Sequence, residues 1–432
     1  VNPSKLSDLE LEEHYRRLCE IEVEVWKEHF YLMEGVGSLT MLFEDTAREL
    51  CKIDSSQPIW SDVVSGFESK AFTSDYEMWK LSEPAKELGL ESIFLNKRGK
   101  KLYRQIKKAA EGKTFLGKLS GFLKSDYGLR TVQLLNFATP TWRERPDIVL
   151  DNIKIYVEKG AAFKIFDERK KAETRRKQAE KELLSRVPSD QREWFAKLMQ
   201  MAQNWGWWSE EHEFWLNDHI YSLMRFTMLE YGKRFVKAGA FDKVEDIWHI
   251  TEADFENTLH FPENYNLRPQ VAKNRGELET YEQINSVPIV TYKGMDKALK
   301  WLISVREFHV ALSMGYMPEP KEGVNASLWG TCGRPGTVEG PARVVKRDQD
   351  LLDVQAGDIL VAPTTYVTWT PIFSKIAGLV VDRGGSLSHS AICAREYGIP
   401  CVLNTFEGTQ QIKSGMRIRL EADIGAVFIL DA

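Results

Sequence analysis

Cysteine is scarce in this chain. The five present (Cys19, Cys51, Cys332, Cys393 and Cys401) are scattered and odd in number, so they build neither a disulfide framework nor a CxxC knuckle. HExxH and similar metal spacings are missing as well, and no intrinsic metal site is expected. Apolar runs are short, none approaching the roughly 20 residues that span a bilayer. The opening stretch VNPSKLSDLELEEHY has no apolar core of a secretory signal. These absences lead to the expectation of a reducing, cytoplasmic setting without a membrane. An excess of one charge sign is also missing. The 58 basic and 63 acidic side chains are interspersed and leave a net charge of −5, so the clustered basic surface of a nucleic-acid binder is not expected.

What is present is 432 residues with 43% hydrophobic content, enough for two to four domains at about 100–200 residues each. From Leu6 to about Met314 apolar residues recur every three or four positions, as in Leu11–Met33, Asp147–Phe166 and Asp218–Gly239. Ser7 with Glu10 marks a helix start, and Gly239 after Lys237 marks a helix end. The charged run Glu168–Leu184 keeps a helical period and reads as a solvated helix. Between Met317 and Gly336, Pro, Gly and small polar residues replace the period and read as a linker. Beyond it, short β-type runs occur at Val338–Lys346, Ile359–Ala362, Gly378–Val381, Cys401–Leu403, Met416–Glu421 and Ala426–Leu430. One helix starts near Ser390 and stops before Gly398. The expectation is a multi-domain chain: a large, mainly α-helical domain (1–316), a linker (317–335) and a small α/β domain (336–432).

The small domain holds the most informative stretch, VVDRGGSLSHSAICAREYGIPCVL from Val380 to Leu403. Gly384 and Gly385 let the backbone bend sharply, and Ser388 is placed to cap the following helix. His389 then sits at a helix N-terminus, where the dipole disfavours imidazolium and welcomes an anion. A ring nitrogen is left free as a nucleophile, and a phosphoryl group on it would meet free N–H groups. A lone histidine beside glycines fits a capping role just as well. The whole string is more specific.

Gly384-Gly385-x-x-Ser388-His389-Ser390-Ala391-Ile392-x-Ala394-Arg395-Glu396-x-Gly398-Ile399-Pro400 resembles the phosphohistidine signature of the phosphoenolpyruvate-utilising enzymes. Gly336–Val345, Gly357–Pro363 and Trp369-Thr370-Pro371 resemble the flanking segments, with Thr365-Tyr366 standing where that family often has an Asp near a Pro. The resemblance implies a β/β/α swivelling domain with His389 as phosphocarrier. It places Gly384, Gly385, Ser388, Ser390 and Arg395 around the phosphate.

A carrier needs a donor and an acceptor. No GxxxxGK[ST] loop occurs, and the N-terminal half lacks the strand pattern of an ATP-grasp module. ATP and Mg²⁺ are therefore expected on a separate ATP-grasp subunit, or on a part of the protein outside this sequence, with no cofactor held tightly here. The pyruvate-handling members place a TIM barrel after the carrier. The chain ends before one, so pyruvate is not the expected acceptor.

The helical region (Glu210–Trp215, Leu229–Phe235, Glu245–Thr251) resembles the acceptor domain of the rifampin phosphotransferase and phenylphosphate synthase group. This implies transfer to a hydroxyl. Glu211 and Trp215, four residues apart, share a helical face, and His212 and Trp208 form a neighbouring pair. A base (His212, Glu211 or Glu210) beside the walls of Trp208 and Trp215 suits a small, phenol-like acceptor. Trp205-Gly206-Trp207-Trp208 fits a plug between helices equally well. Arg143, after Thr139-Pro140-Thr141-Trp142, fits either phosphate binding or a structural ion pair. His14, His29, His219, His249, His260 and His309 read as structural. The alternative function is a phosphocarrier or scaffold subunit whose acceptor site lies on another chain.

Overall fold

The computed structural model describes residues 2–53, 57–131, 136–160, 163, 165–282, 318, 320–346, 348–366, 369–385 and 388–430. The end of the expected helical region, with His309 and the 316/317 boundary, lies outside these residues.

The helical part opens with α1 (Asp8–Cys51), a 44-residue helix started by a reciprocal capping box between Ser7 and Glu10. Short α2 (Pro58–Val63) leads into α3 (Lys70–Glu87). There follow α4 (Glu91–Asn96), α5 (Gly99–Lys108), α6 (Gly112–Lys124) and α7 (Pro146–Lys159). The last of these stops at Gly160, whose positive φ of 74° suits glycine, so the single period read over Asp147–Phe166 is two helices. Next come α8 (Ile165–Arg186) and α9 (Arg192–His212). A π-helical turn, Glu213–Asp218, then joins α9 to α10 (His219–Ala238). Single π turns inside helices cluster at functional sites because the extra residue re-aims side chains. Helices α11 (Glu252–Thr258) and α12 (Arg268–Glu282) complete the described helical part. Among the described residues no helix is long and apolar enough to cross a membrane.

Helix α8 is the helix expected there, solvated on one face but buried along the other. Ala172, Ala179 and Leu183 are buried, Arg175 pairs with Asp62 at 3.3 Å, and the Arg176 guanidinium lies 4.0 Å from the Phe67 ring. The long cationic side chains pack their stems on apolar surface, which a charge count cannot show.

The C-terminal part is one eight-stranded mixed sheet in the order β1-β8-β7-β3-β4-β5-β6-β2. Its strands are β1 (Leu328–Trp329), β2 (Thr331–Arg334), β3 (Thr337–Val344), β4 (Ile359–Ala362), β5 (Gly378–Val381), β6 (Cys401–Leu403), β7 (Arg417–Glu421) and β8 (Ala426–Ile429). Strands β4 and β5 are buried at every position, so they read as continuous apolar runs, as parallel strands covered on both faces do. Leu360, Ala362, Leu379 and Val381 face a core shared with α13 (Thr370–Phe373) and α14 (His389–Tyr397). Alternate residues Ile359, Val361 and Val380 face Ile418, Leu420 and Val427 instead. A final short helix, α15 (Gly408–Gln411), lies beside this sheet.

The expected linker extended to residue 335, yet β1 and β2 fall inside it. Strand β1 pairs with β8, and β2 pairs with β6. Both are too short for period-two alternation to stand out, and glycines flank or interrupt them.

Candidate functional site

Strands β4, β5 and β6 run parallel, and the loops at their C-terminal ends converge, where open α/β sheets place their ligands. The turn after β5 carries Gly384 at a φ of 141°, and a Cβ there would come within 2.9 Å of the Ser388 hydroxyl. Glycine is needed here for both reasons. Ser388 caps α14, its Oγ accepting from the Ala391 N–H at 3.4 Å, and the Ser388 N–H donates to the Gly385 carbonyl at 3.0 Å. His389 is thereby fixed as the first residue of a nine-residue helix.

The two ring nitrogens of His389 have different surroundings. Nδ1 is 3.0 Å from the Thr365 hydroxyl, which in turn lies 2.8 Å from the buried Ser390 hydroxyl. Nε2 is 3.2 Å from Cys393 Sγ and 3.5 Å from the Thr370 hydroxyl. Phe373 meets the ring edge-on, with centroids 6.1 Å apart. His389 as a whole is half-buried. Burial, with a smaller contribution from the Arg130 cation, pushes its pKa down to about 3, so the imidazole is neutral at physiological pH.

Arg130 belongs to the helical part, at the end of the turn that follows α6. It is 2% exposed, lies 3.9 Å from Asp218, and is held over the Phe214 ring at 5.1 Å. Its Nε finds no hydrogen-bond partner. Sequence reasoning missed this residue because nothing local marks it.

A cavity separates α14 from the helical part. Its wall is apolar and aromatic on the helical side, with Trp60, Phe67, Phe72 and Trp207, and the C-terminal part contributes Thr370, Cys393, Arg395 and Glu396. The residues that touch Nε2 therefore also line this cavity. Cys393 stands four residues after His389, so helical spacing alone could have found it.

The expected acceptor residues sit elsewhere on α9. Glu211 is buried with both oxygens occupied: the Lys70 N–H at the start of α3 donates to Oε1 at 2.5 Å, and Trp215 Nε1 donates to Oε2 at 3.3 Å. It caps α3. The shared face of Glu211 and Trp215 exists, but it turns towards α3. Trp208 and Trp215 are 48% and 43% exposed, and neither lines the cavity, whereas Trp207 does. His212 meets His29 of α1, which the sequence left as structural. The backbone of Glu210 lies in α9, and its side chain is outside the described residues. Arg143 donates to the carbonyls of Leu123, Lys124 and Ser125, closing the end of α6, and does not reach the cavity. Of the expected phosphate residues, Arg395 is buried and lines the cavity, and Ser390 orients Thr365.

Several polar contacts join the two parts, among them Lys159 donating to the Ser374 carbonyl and Arg334 beside Asp62. Arg98–Asp353 at 2.8 Å and Lys375–Glu158 at 3.3 Å are at least partly solvated pairs of small individual worth. Two contacts are more buried: the Tyr397 hydroxyl donates to Asp75 at 3.1 Å, and the Gly66 N–H donates to Glu396 at 2.7 Å. Burial pushes Asp75, beside Arg130 and Tyr156, up to about 7. It also pushes Glu396, beside Arg175, Arg176 and Arg395, up to about 7. A released lobe would return both carboxyls towards about 4. Between those values the docked form keeps protons that the released form has lost, so the carboxyls weaken docking as pH rises to 7. His389 acts oppositely, but only below its ordinary value near 6.5. Between pH 6.5 and 8 the population of released lobe should therefore grow, visible as a rising radius of gyration in small-angle scattering. A flat profile would contradict this.

Two family descriptions match the chain. The mobile domain of PEP-utilising enzymes matches residues 354–425, and the rifampicin phosphotransferase fourth domain matches residues 32–210. The two matches fall on the C-terminal sheet part and on the helical part respectively. Similar proteins include the "Uncharacterized phosphotransferase YvkC" of Bacillus subtilis, 25% identical over 97% of this chain and 49% of its own length. A rifampicin phosphotransferase of a Streptomyces species is 29% identical over 70% of this chain and 33% of its own. The prodigiosin synthesizing transferase PigC of Serratia marcescens is 29% identical over 70% of this chain and 32% of its own. The chain thus spans about half or less of the length of these relatives.

Proposed function

We propose that this chain is the carrier-and-acceptor part of an ATP-dependent phosphotransferase. His389 Nε2 takes a phosphoryl group at an ATP-using module and delivers it to a hydroxyl bound in the cavity beside α9. The observation that carries the reading is that Thr370 and Cys393 both touch Nε2 and both line that cavity.

In the first half-reaction the Nε2 lone pair attacks phosphorus as the donor P–O bond breaks. Nδ1 keeps its proton against the Thr365 hydroxyl, so the phosphorylated ring is cationic. That makes it a good leaving group. The acceptor oxygen then attacks phosphorus, the P–N bond breaks, and the ring departs as neutral imidazole, the form that the docked surroundings favour. Glu396, lining the cavity with its pKa near neutrality, takes the hydroxyl proton. Arg130 supplies positive charge beside the moving phosphoryl group. ATP with Mg²⁺ belongs to the donor module, a separate ATP-grasp subunit or a part of the protein outside this sequence, and no residue described here is assigned to it. The aromatic wall suits a small aromatic or otherwise apolar alcohol.

The test is to phosphorylate the chain with radiolabelled ATP and a nucleotide-binding module, remove that module, and add aromatic alcohols. Label should move to an ester on the alcohol. Label that leaves the chain only when another protein is added would place the acceptor site elsewhere. Trp207→Ala should raise the acceptor KM by roughly tenfold, the scale of a lost aromatic contact of about 1.4 kcal/mol, and leave the labelling of His389 unchanged.

A further inference from the structure

The π-helical turn after α9 brings Glu213 beside His212, and the antiparallel packing of α1 on α9 brings in His29. The ligand atoms of these three residues lie within 4.8 Å of one another. His212 Nε2 is 2.9 Å from His29 Nδ1 and 3.4 Å from Glu213 Oε1.

Each group has its other polar atom or ring face held. His212 Nδ1 is 3.3 Å from the Trp208 carbonyl, an acceptor that calls for a proton on Nδ1 and leaves the Nε2 lone pair facing inward. Glu213 Oε2 accepts from Asn217 Nδ2 at 2.7 Å, which turns Oε1 towards the rings. The His29 ring is boxed by Trp26 and Phe30, with centroids 4.9 and 5.6 Å away. One proton shared between the two imidazoles satisfies that pair only. Glu213 Oε1 is then left facing the Nε2 lone pair, an arrangement a cation between them would relieve.

We propose that His29, His212 and Glu213 bind one divalent transition-metal ion of the zinc type, clasping α1 to the π-helical turn. Two imidazoles and one carboxylate are an established donor set for zinc, with metal–ligand distances of about 2.0–2.2 Å. Tetrahedral ligands at that range stand roughly 3.3 Å apart, so the His212–Glu213 spacing fits. The two rings need to part by only about 0.4 Å as the ion replaces the shared proton. A fourth position remains for water.

The full chain, stripped by chelator dialysis, is titrated with Co²⁺ as a visible probe. One equivalent should bind with the d–d absorption of a four- or five-coordinate site, and Zn²⁺ should displace it. His29→Ala and Glu213→Gln should each weaken binding at least tenfold while the thermal melt of the metal-free chain stays near wild type. If His29→Ala does not fold, Glu213→Gln, nearly isosteric and still able to pair with Asn217, decides alone. No saturable Co²⁺ uptake by the wild-type chain, or uptake unchanged in the folded variants, overturns the proposal.

Discussion

A chain carrying His389→Ala should accept no label from ATP and its nucleotide-binding module, and overall transfer should fall by on the order of a thousandfold or more. Removing the attacking group of a covalent mechanism deletes both half-reactions, and what remains is only the help that binding gives an uncatalysed route. The variant should still fold. The ring sits at the first position of α14, whose start is fixed by Ser388 and Gly384, and its truncation leaves the sheet cores untouched. Acid-labile, base-stable label on the wild-type chain and none on the variant is the expected pair of results. Label retained by His389→Ala would mean that another residue carries the phosphoryl group.

The second large effect concerns Arg130. Arg130→Gln should slow transfer from phosphorylated His389 to the acceptor by roughly 10²–10³, the scale of losing one preorganised charge from a water-poor site. It should also cost stability. Breaking a buried pair from one side costs about 3–5 kcal/mol, softened here because Asp218, already raised to about 7 by burial, can take up a proton. Arg130→Lys should restore part of the rate, since a point charge survives while the planar fork is lost. A direct readout separates electrostatics from folding. Arg130 helps hold the His389 pKa down, so an NMR titration of the ring should show that value rising in Arg130→Gln. An unmoved titration with a normal transfer rate would remove Arg130 from the site.

The small domain was legible because its chemistry is local. The glycine turn, the Ser388 cap, His389 and the Gly398 stop lie within fifteen consecutive residues, and three of the parallel strands were bounded to the residue at Ile359–Ala362, Gly378–Val381 and Cys401–Leu403. The acceptor side was not legible in the same way. Helical periodicity says which residues share a face, but not which neighbour that face meets. Glu211 and Trp215 do share one, and the neighbour is the start of α3. Trp207, one residue from the expected Trp208, faces the cavity instead. Arg130, Asp75 and Gly66 reach the carrier only through tertiary packing, and no spacing rule connects them to His389. The π-helical turn breaks the 3.6-residue period where His212 and Glu213 come together with His29, so a pattern reading could not unite those three.

One helix of nine residues carries His389, Cys393, Glu396 and Tyr397 in succession. Because α14 is a single rigid segment, the proposed nucleophile, the residue flanking the cavity, the proton acceptor and the tyrosine that reaches Asp75 arrive and depart as a set. On the proposed function, an alcohol waiting in the helical part would meet no base until the phosphoryl group arrives with it. With the lobe away, water in the vacated space would find neither. Idle turnover would thus be suppressed by timing, because nucleophile and base travel together on α14 while Arg130 stays behind in the helical part.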